Sequence, residues 1–256
     1  MKRFVRLGLL LSISGLPAVA APLCTSFVGL TAATLQSLGS TGCQFGDKVF
    51  YNFTYDYTLE DSLGHAFAGD ANTPMVGAAS AMVQFTNLGG DPLQPVLSLV
   101  GTWQVADGNS GDIALHYQVS APSSAAMYIS WVAAYGSLTN TDPLNEFAPY
   151  IAIAEAICCP AGSAVGLGLE IDAPAGVSPL TPGSAYDEAA YTASTMIQIS
   201  KDVYLSSGTG GNIAILNRVD QGINESSPEP MSALLLGGGL IGLSLLGKRR
   251  NKAAKK

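Results

Sequence analysis

KVFYNFTYDYTL, running from Lys48 to Leu59, is the stretch that decides the fold class. Aromatic and β-branched side chains alternate with polar ones at a period of two, which is the period of a half-buried strand. In this phase Val49, Tyr51, Phe53, Tyr55 and Tyr57 point one way. Phe50, Asn52, Thr54, Asp56 and Thr58 point the other. Apolar or alternating runs of the same kind recur along the chain: MVQFTN, PVLSLVGTWQVA, DIALHYQVSA, AMYISWVAAYGSL, AVGLGLEIDA, STMIQISKDVYLSS and NIAILNRVD. Between them lie turn clusters, among them Gly89 to Pro92, Asp107 to Asp112, Asn140 to Pro143 and Ser206 to Asn212. Many short strands with regular turns predict a mainly β fold, an antiparallel β-sandwich of jelly-roll-like form. One short helix is expected before the first strand, over about Leu30 to Leu38 and stopped by Gly39. A second helix is weighed at Asp187 to Ala193, and YIAIAEAI is read as a strand in preference to a helix.

Both ends carry a different composition. Lys2, Arg3 and Arg6 precede an apolar run from Leu7 to Leu16, and Ala18-Val19-Ala20 is a cleavage signal, so residues 1–20 read as a signal peptide. At the far end Pro228-Glu229-Pro230 precedes Met231 to Gly247, which holds no charge. As a helix these 17 residues would be about 26 Å long, near the roughly 30 Å of a bilayer core. Lys248, Arg249, Arg250 and three further lysines follow and keep that end cytoplasmic. Residues 226–256 therefore read as a tail with a transmembrane helix at 231–247 and a basic end at 248–256, and residues 21–225 as one exported domain. The 208 residues from 21 to 228 keep only Lys48, Lys201 and Arg218 as basic residues against 18 acidic ones, a formal charge of −15. Phosphate backbones would repel such a domain, which excludes nucleic acid as a partner.

The order Pro-Glu-Pro, apolar helix, basic end resembles the PEP-CTERM sorting signal of bacterial exosortase substrates. That resemblance implies a chain held transiently at the inner membrane, with the secretion machinery and an exosortase as partners. Recognition would centre on Pro228, Glu229, Pro230, Lys248, Arg249 and Arg250, and cleavage would release the domain to the cell surface or an exopolysaccharide-bearing matrix. The opening CTSFVGLTAATLQSLGSTGCQFGDKVFYNFTY and the closing stretch from Ile199 to Glu225 are similar to the two ends of exported domains in that group, whose function is uncharacterised. No catalytic residue is implied by this similarity.

Four cysteines in an exported chain predict two disulfides with three pairings open. Cys24 and Cys43 flank the helix, and joining them would stabilise the fold by roughly 3 kcal/mol. Cys158 and Cys159 would then be left adjacent, and crossed pairing is the alternative. Asp107, Asn109 and Asp112 offer oxygen ligands for calcium, the one cofactor the sequence suggests. The same DGNSGD string reads better as a hairpin turn between its flanking strands, and SSGTGGN, at Ser206 to Asn212, as another. Trp103, Trp131 and Tyr135 are candidates for stacking on sugars, with burial in the core as the competing role.

The sequence therefore predicts an exported, structural, non-catalytic surface or matrix protein, with a carbohydrate-binding or adhesive module as the alternative. An extracellular hydrolase ranks third, and it would need His65 or His116 to meet a carboxylate and a nucleophile.

Overall fold

The computed structural model describes residues 20–91, 94–121, 126–141, 148–158, 165–172, 183–209 and 211–226. Residues 1–19 of the expected signal peptide and everything from 227 onward, including the 231–247 run and the expected sorting motif, lie outside them. Among the described residues no helix is long and apolar enough to cross a membrane.

Among the described residues eleven strands form two antiparallel sheets. They are β1 (Cys43–Phe45), β2 (Lys48–Glu60), β3 (Met82–Asn87), β4 (Pro95–Ala106), β5 (Ser110–Ser120) and β6 (Ala126–Thr139), then β7 (Tyr150–Cys158), β8 (Val165–Asp172), β9 (Gly183–Ser194), β10 (Met196–Ser206) and β11 (Ile213–Ser226). One sheet has the order β1-β2-β5-β10-β7-β8, the other β3-β4-β11-β6-β9. From β4 onward every connection crosses between sheets except the one joining β7 to β8, which is the winding of a jelly roll. Two expected hairpins are thereby corrected. The turns at Asp107 to Asn109 and at Ser207 to Asn212 join strands in opposite sheets, β4 to β5 and β10 to β11. Glycine, asparagine and aspartate favour either kind of tight connection, and only the long-range partners distinguish them. The two arches lie together: Ser207 N donates to Asn109 O at 3.1 Å, and Gly108 N to Ser207 Oγ at 3.0 Å.

The opening strand holds a second correction. Lys48, Phe50, Phe53, Tyr55, Tyr57 and Leu59 face inward, so Val49 and Tyr51 are out of phase with the later aromatics. A bulge between Tyr51 and Thr54 shifts the register against β5, with Asn52 at φ +54°. Asparagine tolerates this left-handed conformation better than its neighbours would. Asn52 N donates to Gly39 O at 2.8 Å and its side chain donates to Gln118 Oε1 at 2.8 Å, so the bulge is tied on both sides.

The expected helix is α1 (Ala32–Leu38). Thr31 caps it by accepting from Thr34 N at 3.2 Å, and Gly39, at φ +51°, ends it. Ala32 and Leu35 bury one face against the sandwich, and the Cys24–Cys43 disulfide pins the segment before the helix to β1. This bond rules out the crossed pairings. Cys158 ends β7; its side chain and all of Cys159 lie outside the described residues. YIAIAEAI is β7, as read, but Asp187 to Ala193 belongs to β9 and is no helix. Pairing with β6 overrides the local preference of its alanines and glutamate.

Candidate functional site

The sandwich core removes one candidate at once. Trp103 points inward from β4, is fully buried, and donates its indole N–H to Tyr55 Oη at 2.9 Å. Tyr55 in turn donates to Val76 O at 2.7 Å. Burial pushes the Tyr55 phenol up to about 12, so it remains a donor at any physiological pH.

Trp131 and Tyr135 lie elsewhere, on the outward face of the five-stranded sheet. The register sets three rows across that face. Thr86, Val96, Gly222, Trp131 and Glu188 form the first; Gln84, Ser98, Asp220, Ala133 and Tyr186 the second; Met82, Val100, Arg218, Tyr135 and Ser184 the third. The Trp131 ring lies against Gly222 so closely that a Cβ at 222 would come 1.9 Å from its Cε2. Only glycine permits that approach. With Val96 and Ala133, Trp131 makes a small apolar cluster separate from the main core, and it is only 6% exposed. Tyr186 packs beside it at a tilt of 35°, ring centroids 5.7 Å apart, and is 59% exposed. Tyr135 is 40% exposed, with the Arg218 guanidinium 5.4 Å from its ring centroid. Arg218 Nε donates to Asp220 Oδ1 at 2.5 Å, and Tyr186 Oη donates to Glu188 Oε2 at 2.7 Å. Lys48 and Lys201 are buried, so Arg218 is the sole lysine or arginine between residues 21 and 228 that reaches solvent.

The outward face of the six-stranded sheet is acidic. Asp56, Ala114, Asp202 and Ala154 are in register, and the next row is Thr58, Asp112, Tyr204, Ala152 and Glu170. Burial is the main cause that pushes the Asp112 carboxyl up to about 7. Its hydrogen bond to Asp202, then the charges of Asp202, Glu60 and Asp56, act in the same direction. A small recess of about 70 Å³ is lined there by Thr58, Glu60, Ser110, Gly111, Asp112 and Tyr204.

The three calcium candidates each have their own surroundings. Asp107, at φ +59°, accepts from Asn72 Nδ2; Asn109 donates to Thr73 Oγ1 at 3.2 Å; Asp112 belongs to the acidic sheet face. Among the described residues no group of three or more His, Cys, Asp or Glu side chains is placed to hold a metal. His65 is exposed, with Nδ1 3.4 Å from Asp61 Oδ2. The backbone N–H groups of His65 and Leu63 hold the Asp61 carboxyl below its usual range. His116 lies on the outward face of β5 opposite Thr54 and Ser200. Among the described residues no serine or cysteine hydrogen-bonds either histidine.

Tyr186, Glu188 and Arg218 were not candidates from sequence. Tyr186 sits among alanines that mask strand alternation, whereas the rarity of exposed basic residues was a usable signal for Arg218.

No family model matches the chain, and no curated protein matches it. Among solved structures, it is similar to the carbohydrate-binding module TmCBM61 in complex with β-1,4-galactotriose, at 11% identity over 54% of this chain and 85% of that one, TM-score 0.27. It is also similar to a carbohydrate-binding module of the β-sandwich superfamily, at 10% identity over 69% and 76%, TM-score 0.23. A third is Eiger TNF from S. frugiperda, at 12% identity over 42% and 63%, TM-score 0.23. Likeness this distant leaves both ligand and role to be read from the chain itself.

Proposed function

We propose that this chain is an exported, non-catalytic surface or matrix protein that binds exopolysaccharide through the outward face of its five-stranded sheet. The observation that carries the proposal is the pair of exposed rings, Tyr135 and Tyr186, in adjacent rows beside Trp131. Flat aromatic faces suit the C–H surface of a sugar ring, and Arg218 and Glu188 beside them supply donors and acceptors for hydroxyls. The −15 charge of the domain and the pairing of Arg218 with Asp220 favour a neutral glycan over a polyanionic one. The test is retention of the purified protein on neutral polysaccharide beads. Retention that a Tyr135→Ala/Tyr186→Ala double variant loses supports the proposal; equal retention of both proteins, or of neither, returns the chain to a purely structural matrix role.

Delivery follows the tail. Retention by 231–247 and processing at Pro228-Glu229-Pro230 by an exosortase would bring the domain to the surface. Fractionation and intact mass of the native protein, with and without a functional exosortase, test this: a tail that is never removed in either strain defeats it.

A further inference from the structure

Three polar side chains meet in the middle of the sandwich, where a jelly roll ordinarily packs hydrocarbon. Lys201 projects inward from β10, Glu155 from the adjacent β7, and Gln221 from β11 in the opposite sheet. All three are buried, at 1%, 4% and 1% exposure. Lys201 is in register with Leu115 on one side and Glu155 on the other, and Glu155 with Leu167 beyond it. Gln221 lies between Leu97 and Val132. Lys201 Nζ donates to Gln221 Oε1 at 2.7 Å and lies 2.8 Å from Glu155 Oε2. The amide nitrogen of Gln221 makes a long contact of 3.4 Å to Gly222 O.

This is a costly way to fill a core. Removing an ammonium and a carboxylate from water costs several kcal/mol each, and apolar residues of the same volume often serve as well or better. The outward faces make no use of the trio. Its composition is that of a reaction: an amine, an amide carbonyl and a carboxyl in contact, shielded from water.

We propose that Lys201 and Gln221 form an intramolecular isopeptide bond, with Glu155 as the catalytic proton carrier. Burial lowers the Lys201 pKa against the opposing influence of Glu155 and Asp220, which favours the free amine that attack requires. Since Oε1 and Cδ are joined by a bond of about 1.23 Å, Nζ is no more than about 3.9 Å from Cδ, close to the range from which attack proceeds. The Nζ lone pair forms a bond to Cδ, leaving the negative charge on the carbonyl oxygen, which returns to C=O when the tetrahedral centre collapses. The resulting tetrahedral centre loses its Cδ–Nε2 bond, and a proton from Nζ passes through Glu155 to the departing nitrogen. One amine and one primary amide become one secondary amide and ammonia, with no oxidant, metal or other reactant needed. The product replaces two polar ends by one neutral amide and joins the two sheets covalently, closing the chain between 201 and 221.

The proposal is independent of glycan binding and is tested on the full-length wild-type protein. Proteolytic mapping should recover a branched peptide joining Lys201 to Gln221, and the intact mass of the reduced protein should fall short of the sequence by one ammonia. Glu155→Gln, nearly the same in shape, should leave Lys201 and Gln221 on separate peptides with the ammonia retained. Lys201→Arg should do the same. Because the branched peptide is sought in the wild type, failure of either variant to fold does not affect that result. Recovery of Lys201 and Gln221 unmodified on separate wild-type peptides overturns the bond. An undiminished yield of branched peptide from Glu155→Gln overturns the role of Glu155.

Discussion

The outward faces of the two sheets are made in the same way and differ in what they present. Each is the solvent half of an alternating pattern whose other half fills one core. On the five-stranded sheet those positions hold Trp131, Tyr135, Tyr186 and the half-buried Arg218; on the six-stranded sheet they hold Asp56, Asp112, Asp202 and Glu170. A net charge of −15 therefore misdescribes both. It suggests an evenly repellent surface, whereas one face gathers carboxylates around the partly buried Asp112 and the other pairs its charges beside aromatic rings. Chemistry that binds a ligand is expected where the rings are.

The contrast breaks most severely at Gly222. Gly222→Ala should drive the Trp131 indole off the face, costing about 1–3 kcal/mol of stability and abolishing polysaccharide retention. Thermal melts, Trp131 fluorescence in a Trp103→Phe background and bead retention would check it. Next comes the Tyr135→Ala/Tyr186→Ala double variant. Loss of two stacking rings at about 0.5–1.5 kcal/mol each should weaken neutral-glycan affinity about tenfold or more, whereas Tyr204→Ala on the acidic face should not alter it. Titration calorimetry of the three proteins separates the faces.

The acidic face should respond to pH in the opposite sense to an ordinary salt-bridged carboxylate. Asp112 holds its proton in the folded state up to about 7 but loses it near the usual carboxylate value when unfolded. Between those values the folded state binds more protons, so this contribution to stability is present at low pH and is lost as pH rises towards 7. Discounted for solvent screening, the effect should be about 1 kcal/mol, or roughly 2–4 °C in Tm. Asp202→Asn should flatten the profile, measured by calorimetry from pH 4 to 8. The smallest effect is expected from Arg218→Lys, which keeps the charge but not the flat guanidinium over Tyr135. Affinity should change by no more than a few-fold, about 0.5–1 kcal/mol.

The sandwich, the short helix and the run of β4 were legible because periodicity, Gly39 and β-rich composition all agree. The phase change at Asn52 was not, because a bulge leaves no mark in an alternating string beyond one residue that tolerates positive φ. Arches passed for hairpins since their turn residues are the same. The core trio had a readable signal: Lys201 is in phase with Ile199 and Val203, and Glu155 with Ile153 and Ile157. A general preference for charge outside obscured it. Of the aromatic candidates, Trp131 and Tyr135 lie on the outward face and the buried Trp103 was not separable from them, because strand alternation gives two faces without saying which one meets water.

β11 is flanked by β4 and β6 along nearly its whole length, and it is the last described element before residue 227. A domain tethered by the chain beyond that strand would take tension through the middle of a sheet. Such a pull runs parallel to two ladders at once, so the bonds must shear together instead of unzipping one at a time from a margin.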